Sequence, residues 1–217
     1  MNFLKIEECE SNNGYGFGTT LYVSGCPRRC VGCFNRAGWS RKAGKIFTET
    51  DFLKLEKCLE QNYIQRLSFS GGDPLAPWNR AEVLEICARV KEKYGKRIIT
   101  WIYTGYQLDD FRTGAEGFQQ CRGLTSYEGS AELKNGFLQP KTDFFEKKIK
   151  KTTEGGGEFR ARNWKTENGF FDLMGQYIDF VVDGEYRENE SHVKPFRGSD
   201  NQILCRNRNG VWWRVEE

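Results

Sequence analysis

Thr20-Leu21-Tyr22-Val23-Ser24-Gly25-Cys26-Pro27-Arg28-Arg29-Cys30-Val31-Gly32-Cys33 joins an apolar, partly β-branched run to three cysteines. The run reads as a strand, and Gly25 stops it. The same pattern recurs downstream. Thr48-x-x-Asp51 fits a capping box, with Phe52, Leu55, Cys58 and Leu59 at helical spacing behind it. Ile64–Phe69 reads as a second strand, stopped by Gly71-Gly72. Asn79-x-x-Glu82 has the form of another cap, opening a helix with Val83, Ile86, Cys87 and Val90 on one face and Gly95 as its stop. Arg97–Tyr103 predicts a third strand running into Thr104-Gly105, and Tyr177–Val182 a later one stopped by Asp183-Gly184. Strands separated by helices imply right-handed crossovers and a parallel sheet, so the expected fold class is α/β. Ligands of such sheets sit beyond the carboxyl ends of the strands. The cysteine loop, Gly71-Gly72 and Thr104-Gly105 would therefore meet on one rim.

Cys26, Cys30 and Cys33 are the candidate metal ligands. A cubane iron–sulfur cluster presents four irons, each of which takes a thiolate. A loop with three cysteines at gaps of three and two residues would wrap it and leave one iron open to a small molecule. Zinc sites also use short cysteine loops, so a zinc knuckle completed by Cys9, Cys205 or His192 is an alternative. Structural zinc sites usually pair two cysteine-bearing turns, and no second cluster follows. Three core thiols are a further alternative, against which Pro27-Arg28-Arg29 is too polar for an interior segment. Asp73 is expected to hold its turn. Phe196–Gln202 is expected to be a loop ordered by its Asp, Asn and Ser side chains. His192 should be a solvated surface residue, and Cys58 and Cys87 small core hydrophobes. Trp212-Trp213 fits either an exposed contact patch or a core-covering end strand.

The chain has 217 residues, enough for one domain with a sizeable core. Thirty-three Lys and Arg against 30 Asp and Glu leave a net charge of +3, with no long block of one sign. A nucleic-acid groove needs clustered positive charge, so none is expected. No signal peptide and no run of membrane-spanning length is evident. Eight cysteines could form disulfides in a secreted protein, but without a signal they favour a reducing cytoplasm. Residues 113–165, rich in Gly, Lys and Glu, read as an insertion in the single domain 1–217. Gly155-Gly156-Gly157 is a flexible point there, and Asp143–Lys151 suits a short basic amphipathic helix. The segment is expected to be a surface elaboration or a docking element.

Taken together, Gly25–Arg36, Ser70-Gly71-Gly72-Asp73-Pro74-Leu75, Tyr103-Thr104-Gly105-Tyr106, Val182-Asp183-Gly184 and Phe196–Gln202 resemble the radical S-adenosylmethionine (SAM) enzymes. Within them they are similar, in the same order, to the activating enzymes of anaerobic ribonucleoside-triphosphate reductase. The match covers roughly residues 10–112 and 170–217. The resemblance implies a partial (β/α) barrel and a [4Fe-4S] cluster on Cys26, Cys30 and Cys33. It also implies SAM chelating the open iron through its amino and carboxylate groups. Reductive cleavage would give methionine and a 5′-deoxyadenosyl radical, which takes hydrogen from a glycine α-carbon of the reductase. SAM contacts fall by the same resemblance on Gly32, Cys33, Phe34 and Gly72. Reduced flavodoxin is the implied electron donor. No acid–base residue is needed, since hydrogen abstraction by a radical uses no general base. Two positions depart from the family pattern of Asn-Gly-Pro-Gly followed by an Arg before the first strand: Tyr15 stands for the Pro and Gly18 for the Arg. Phe34 stands where many relatives carry Tyr, leaving ring stacking without a hydroxyl. Other readings are an activase of a different glycyl-radical enzyme, a small radical SAM synthase, or a zinc-stabilised binding module.

Overall fold

The computed structural model describes residues 1–111, Phe159 and 169–216, together with two very short strands between 133 and 138. Its first half runs β1 (Asn2–Glu10), β2 (Gly18–Val23), β3 (Lys45–Ile46), α1 (Glu49–Leu59), β4 (Arg66–Gly71), α2 (Arg80–Tyr94) and β5 (Ile99–Tyr103). After β6 (Leu133–Lys134) and β7 (Phe137–Leu138), which pair only with each other, come α3 (Gly169–Tyr177), β8 (Phe180–Asp183), β9 (Ile203–Arg208) and β10 (Val211–Arg214).

One eight-stranded sheet has the order β10-β9-β8-β5-β4-β2-β1-β3. The expected parallel strands form its centre, since β2, β4, β5 and β8 pair in parallel. Antiparallel strands extend it on both sides, β1 and β3 beside β2, β9 and β10 beside β8. The fold is thus a mixed α/β sheet, and the sequence pattern had predicted none of β1, β3 and β9. Element boundaries shifted too. Tyr177 closes α3 instead of opening the last parallel strand, and Gly95–Arg97 form a 3-10 turn before β5.

Alternation along each strand divides the side chains between two faces. Leu21, Val23, Leu67, Phe69, Ile102 and Val181 pack with Leu55, Leu59, Val83, Ile86 and Met174 of the three helices into the main core. On the other face Trp101, Phe180, Val182 and Leu204 form a second cluster, with the Trp101 and Phe180 rings stacked at 4.6 Å. Thr48 caps α1 as its sequence predicts: its hydroxyl accepts the Asp51 N–H at 3.4 Å, and the Asp51 carboxylate accepts the Thr48 N–H at 3.2 Å. Asn79 does not cap α2. Its amide donates to the carbonyls of Ser24 and Asp73, both at 2.9 Å, and so ties two loops. Cys87 is buried as expected, but Cys58 is only half-buried. It lines a cavity of about 280 Å³ with Glu8, Cys9, Lys57, Gln61 and Tyr63, because its place on α1 faces the side of β1.

Phe159 is buried against Phe47 and Phe52, with ring centroids 5.1 and 5.7 Å away. The stretch expected to be a surface elaboration therefore supplies a core residue. The predicted helix at Asp143–Lys151, Gly155-Gly156-Gly157 and Cys121 lie outside the described residues. Among the described residues no helix is long and apolar enough to cross a membrane.

Candidate metal centre at the carboxyl rim of the sheet

Every parallel strand ends at the same rim. β2 runs into the cysteine loop, β4 into Gly71-Gly72, β5 into Thr104-Gly105 and β8 into Asp183-Gly184. Main-chain hydrogen bonds weld these turns together. Gly72 N donates to Val23 O at 2.7 Å, Asp73 N to Gly25 O at 3.0 Å, and Gly25 N to Gly38 O at 2.7 Å. Thr104 N donates to Val182 O, and Gly184 N to Tyr106 O, both at 2.9 Å.

Glycines are needed where these backbones touch. A Cβ on Gly72 would lie 2.8 Å from both N and O of Gly25 and 2.9 Å from Gly38 O. Gly72 thus seats the Gly-Gly turn directly on the cysteine loop. Asp73 completes the weld. Its carboxylate accepts Leu75 N at 3.0 Å, Thr104 Oγ1 at 2.8 Å and Gly105 N at 3.0 Å. Burial nevertheless pushes its carboxyl up, against those three hydrogen bonds and the Arg28 charge. Asp73 is a turn-holding residue, as its sequence context suggests.

Cys26, Cys30 and Cys33 are free thiols, none of them fully buried. Burial raises the Cys26 thiol, opposed by the N–H groups of Arg29 and Arg28. Burial also raises Cys30, opposed by the Tyr186 N–H. The charges of Asp73 and then Cys33 add to the Cys26 shift, and those of Glu185, Cys26 and Cys33 to the Cys30 shift. They are not gathered at ligating spacing: among the described residues no three His, Cys, Asp or Glu side chains form a metal-holding group. What fits a thiophilic cluster is the donor set, three thiols on one loop with main-chain N–H groups aimed at two of them.

The loop between β8 and β9 covers this site. A Cβ on Gly32, whose φ is +73°, would meet the Glu188 side chain at 2.5 Å. Phe34 is 85% exposed, its ring centroid 6.3 Å from that of Tyr186 in an edge-to-face pair. Tyr186 stacks on His192, which is exposed but bonded: Nδ1 lies 2.6 Å from Gly198 O. Phe196–Gln202 is ordered by its polar side chains, as predicted. Asp200 Oδ1 accepts Lys194 N at 2.9 Å, Ser199 Oγ accepts Arg187 N at 3.0 Å, and Gln202 Nε2 donates to Gly184 O at 2.8 Å. Phe196 itself packs on Tyr15 and Trp101.

Of four polar atoms beside the rim, the sequence marks only Asn35, in the resembling stretch after the cysteines, and assigns a ligand to none of them. Asn35 Nδ2, the indole N–H groups of Trp39 and Trp78, and Ser24 Oγ are buried without a hydrogen-bond partner. Three of these can only donate, so they suit a ligand rich in acceptors. Arg41 lies over the Trp78 ring at 4.4 Å, and Arg28 over Tyr106 at 4.5 Å. Tryptophans near a cysteine loop carry no motif of their own, which is why the pattern was silent about them.

Residues 12–127 match the 4Fe-4S single cluster domain family. A protein of Enterobacteria phage T4 named anaerobic ribonucleoside-triphosphate reductase-activating protein is 30% identical over 212 residues, 98% of each chain. A protein of that name from Pasteurella multocida is 37% identical over 209 residues, covering 95% of this chain and 98% of its own. The corresponding Escherichia coli K12 protein is 38% identical over 113 residues, 51% of this chain and 72% of its own. With relatives of that name matched almost end to end and a 4Fe-4S single cluster domain over residues 12–127, this protein belongs to the family of anaerobic ribonucleoside-triphosphate reductase-activating proteins.

Proposed function

We propose that this chain activates anaerobic ribonucleoside-triphosphate reductase, with Cys26, Cys30 and Cys33 holding a [4Fe-4S] cluster and SAM as co-substrate. When bound, the pair supplies one-electron reductive cleavage of SAM to methionine and 5′-deoxyadenosine, at the expense of a hydrogen atom from a reductase glycine. The chain's own part is placement. The Arg28, Arg29 and Tyr186 N–H groups point at ligand sulfurs and stabilise them as thiolates. Gly32, Cys33, Phe34 and Gly72 line the approach to the open side of the loop. The unpartnered amide of Asn35 and the indoles of Trp39 and Trp78 offer donors to a carboxylate or to purine nitrogens. No side chain needs to move a proton.

The observation that carries this reading is the weld of the three-cysteine loop onto Gly72 and Asp73 at the carboxyl ends of four parallel strands. The four adjacent parallel strands we read as the core of a partial (β/α) barrel. The electron donor we take to be reduced flavodoxin, the site cytoplasmic and the chain one domain, all on the strength of the resemblance. Anaerobic reconstitution should load about four irons and four sulfides per chain. Mixing with SAM, a reductant and the reductase should then give a glycyl doublet in electron paramagnetic resonance. One tightly held zinc, with no iron uptake, would replace this reading by that of a binding module. Iron uptake with a doublet only on another glycyl-radical enzyme would change the substrate.

A further inference from the structure

The middle of the cysteine loop has little main-chain support. Cys26 N donates to Trp39 O at 3.1 Å, and Cys33 N closes a turn on Cys30 O at 3.2 Å. Among the described residues, no backbone group of residues 27–32 bonds to a backbone group outside the loop. The chain is also sharply bent there, with φ of +50° at Arg29 and +73° at Gly32. A residue with a Cβ disfavours that left-handed region, so the bend at Arg29 has to be held by other contacts. The bend has a use, since it turns the N–H groups of Arg28 and Arg29 toward the Cys26 sulfur.

Arg28 reaches from this bend to the body of the protein. Its stem lies on Gly105, where a Cβ would be 2.8 Å from Arg28 Cγ and 3.6 Å from Arg28 Cβ. Its guanidinium covers the Tyr106 ring, with Cζ 4.5 Å from the centroid, and Nη2 is 3.6 Å from an Asp110 carboxylate oxygen. All three contacts fall on residues 105–110, the exit of β5. That exit is itself fixed. Gly105 N is bonded to Asp73, Gly184 N donates to Tyr106 O, Asp110 Oδ2 accepts Gln107 N at 2.9 Å, and the Tyr106 ring packs on Phe111 at 5.6 Å. The ion pair is long and its side chains are 34% and 47% exposed, so screening leaves it weak. The flat contact of guanidinium on ring is the larger part. We propose that Arg28 is the positioning residue of the cysteine loop: a clamp, seated on Tyr106, that holds the loop's middle against the β5 exit and keeps Cys26 and Cys30 presented to the cluster. As a role in presenting ligands it rests on the [4Fe-4S] reading. The clamp itself is read in the metal-free chain, so the two fail separately.

The test is amide hydrogen exchange, followed by peptide mass spectrometry on the full metal-free chain under anaerobic reducing conditions. Arg28→Ala should speed exchange of the peptide over residues 27–33 by roughly three- to tenfold, the range of such a contact, and leave β4 and α2 unchanged. Tyr106→Leu keeps apolar bulk against Phe111 without a ring face, and should match it. Tyr106→Phe keeps the face and should exchange like the parent chain. Arg28→Lys retains the charge but not the plane and should fall between. Asp110→Asn should change the rate by about twofold or less. The double change R28A/Y106L should be no faster than the faster single one, because both remove the same contact. After anaerobic reconstitution, iron release to a chelator should follow the same ranking. Parent-like exchange in Arg28→Ala, effects that multiply in the double change, or Tyr106→Phe as fast as Tyr106→Leu overturns the clamp. A rise shared by β4 and α2 overturns it too, since that is general destabilisation. Iron release indifferent to the ranking overturns the positioning role. A chain that keeps the exchange ranking but takes up no iron supports the clamp and removes the cluster reading alone.

Discussion

Asp183 closes β8 with its carboxyl buried, where it accepts Leu108 N at 2.9 Å. Burial, reinforced by Asp109 and Asp110, raises its pKa from 3.8 to about 6, although the amides of Leu108 and Ile203 pull the other way. The neutral form is thus favoured in the folded state. Its stabilising contribution is complete below about pH 4 and is lost as pH climbs through about 6. The loss is on the order of 2–3 kcal/mol, at about 1.4 kcal/mol per unit. Asp183→Asn should flatten that part of the stability–pH curve, which urea midpoints at pH 4 to 7 would reveal; an unchanged slope contradicts the assignment. Single residues were unevenly legible. Thr48 announced its capping box because both partners lie in one local motif. Arg66 did not, since all its acceptors but Ser68 Oγ come from residues 10 to 16 and no periodicity points to them. Asn79 misled for the same reason: its form is that of a cap, while its amide is used fifty-five residues away on Ser24.

Among elements, the parallel centre was legible because β2, β4 and β5 each show an apolar run ended by glycine, with a helical pattern between each pair of them. The antiparallel flanks were not. β1 alternates poorly (Leu4-Lys5-Ile6-Glu7-Glu8-Cys9-Glu10) and bears bulges at two places in its pairing with β2. Strand identity there comes from its neighbour instead of its own pattern. Convergence of the cysteine loop, the Gly-Gly turn and the Thr-Gly turn followed from sheet topology, and the hydrogen bonds bear it out. Gly72→Ala tests the junction between two of them. Its Cβ would press on three backbone atoms that cannot rotate away, costing roughly 1–3 kcal/mol. The expected result is a lower melting temperature with a larger fractional loss of iron uptake, because the displaced element is the cysteine loop. A stable variant with full iron content would show that the contact is slack.

For the whole molecule, a group that binds only the folded chain adds stability by mass action. Free ligand at a hundredfold excess over its dissociation constant is worth about 2.7 kcal/mol. In a chain of this size each kcal/mol moves the midpoint by roughly 2–4 °C. Reconstituted protein should therefore melt about 5–10 °C above the apoprotein under anaerobic scanning, and Cys30→Ala should abolish that difference. Equal midpoints with and without iron would argue that the loop is not held by a cluster. The strand–helix pattern foretold an α/β sheet, but it was blind to the second cluster behind the sheet, where Tyr15, Trp101, Phe180 and Phe196 meet from four distant places in the chain. Phe159 carries a different lesson. Its ring is wedged between Phe47 and Phe52, with the Arg89 guanidinium 5.4 Å from its centroid. A gene shortened across this stretch would pull a bung from the floor of the protein. Any trimmed version must bring a replacement aromatic with it, or accept a void under α1.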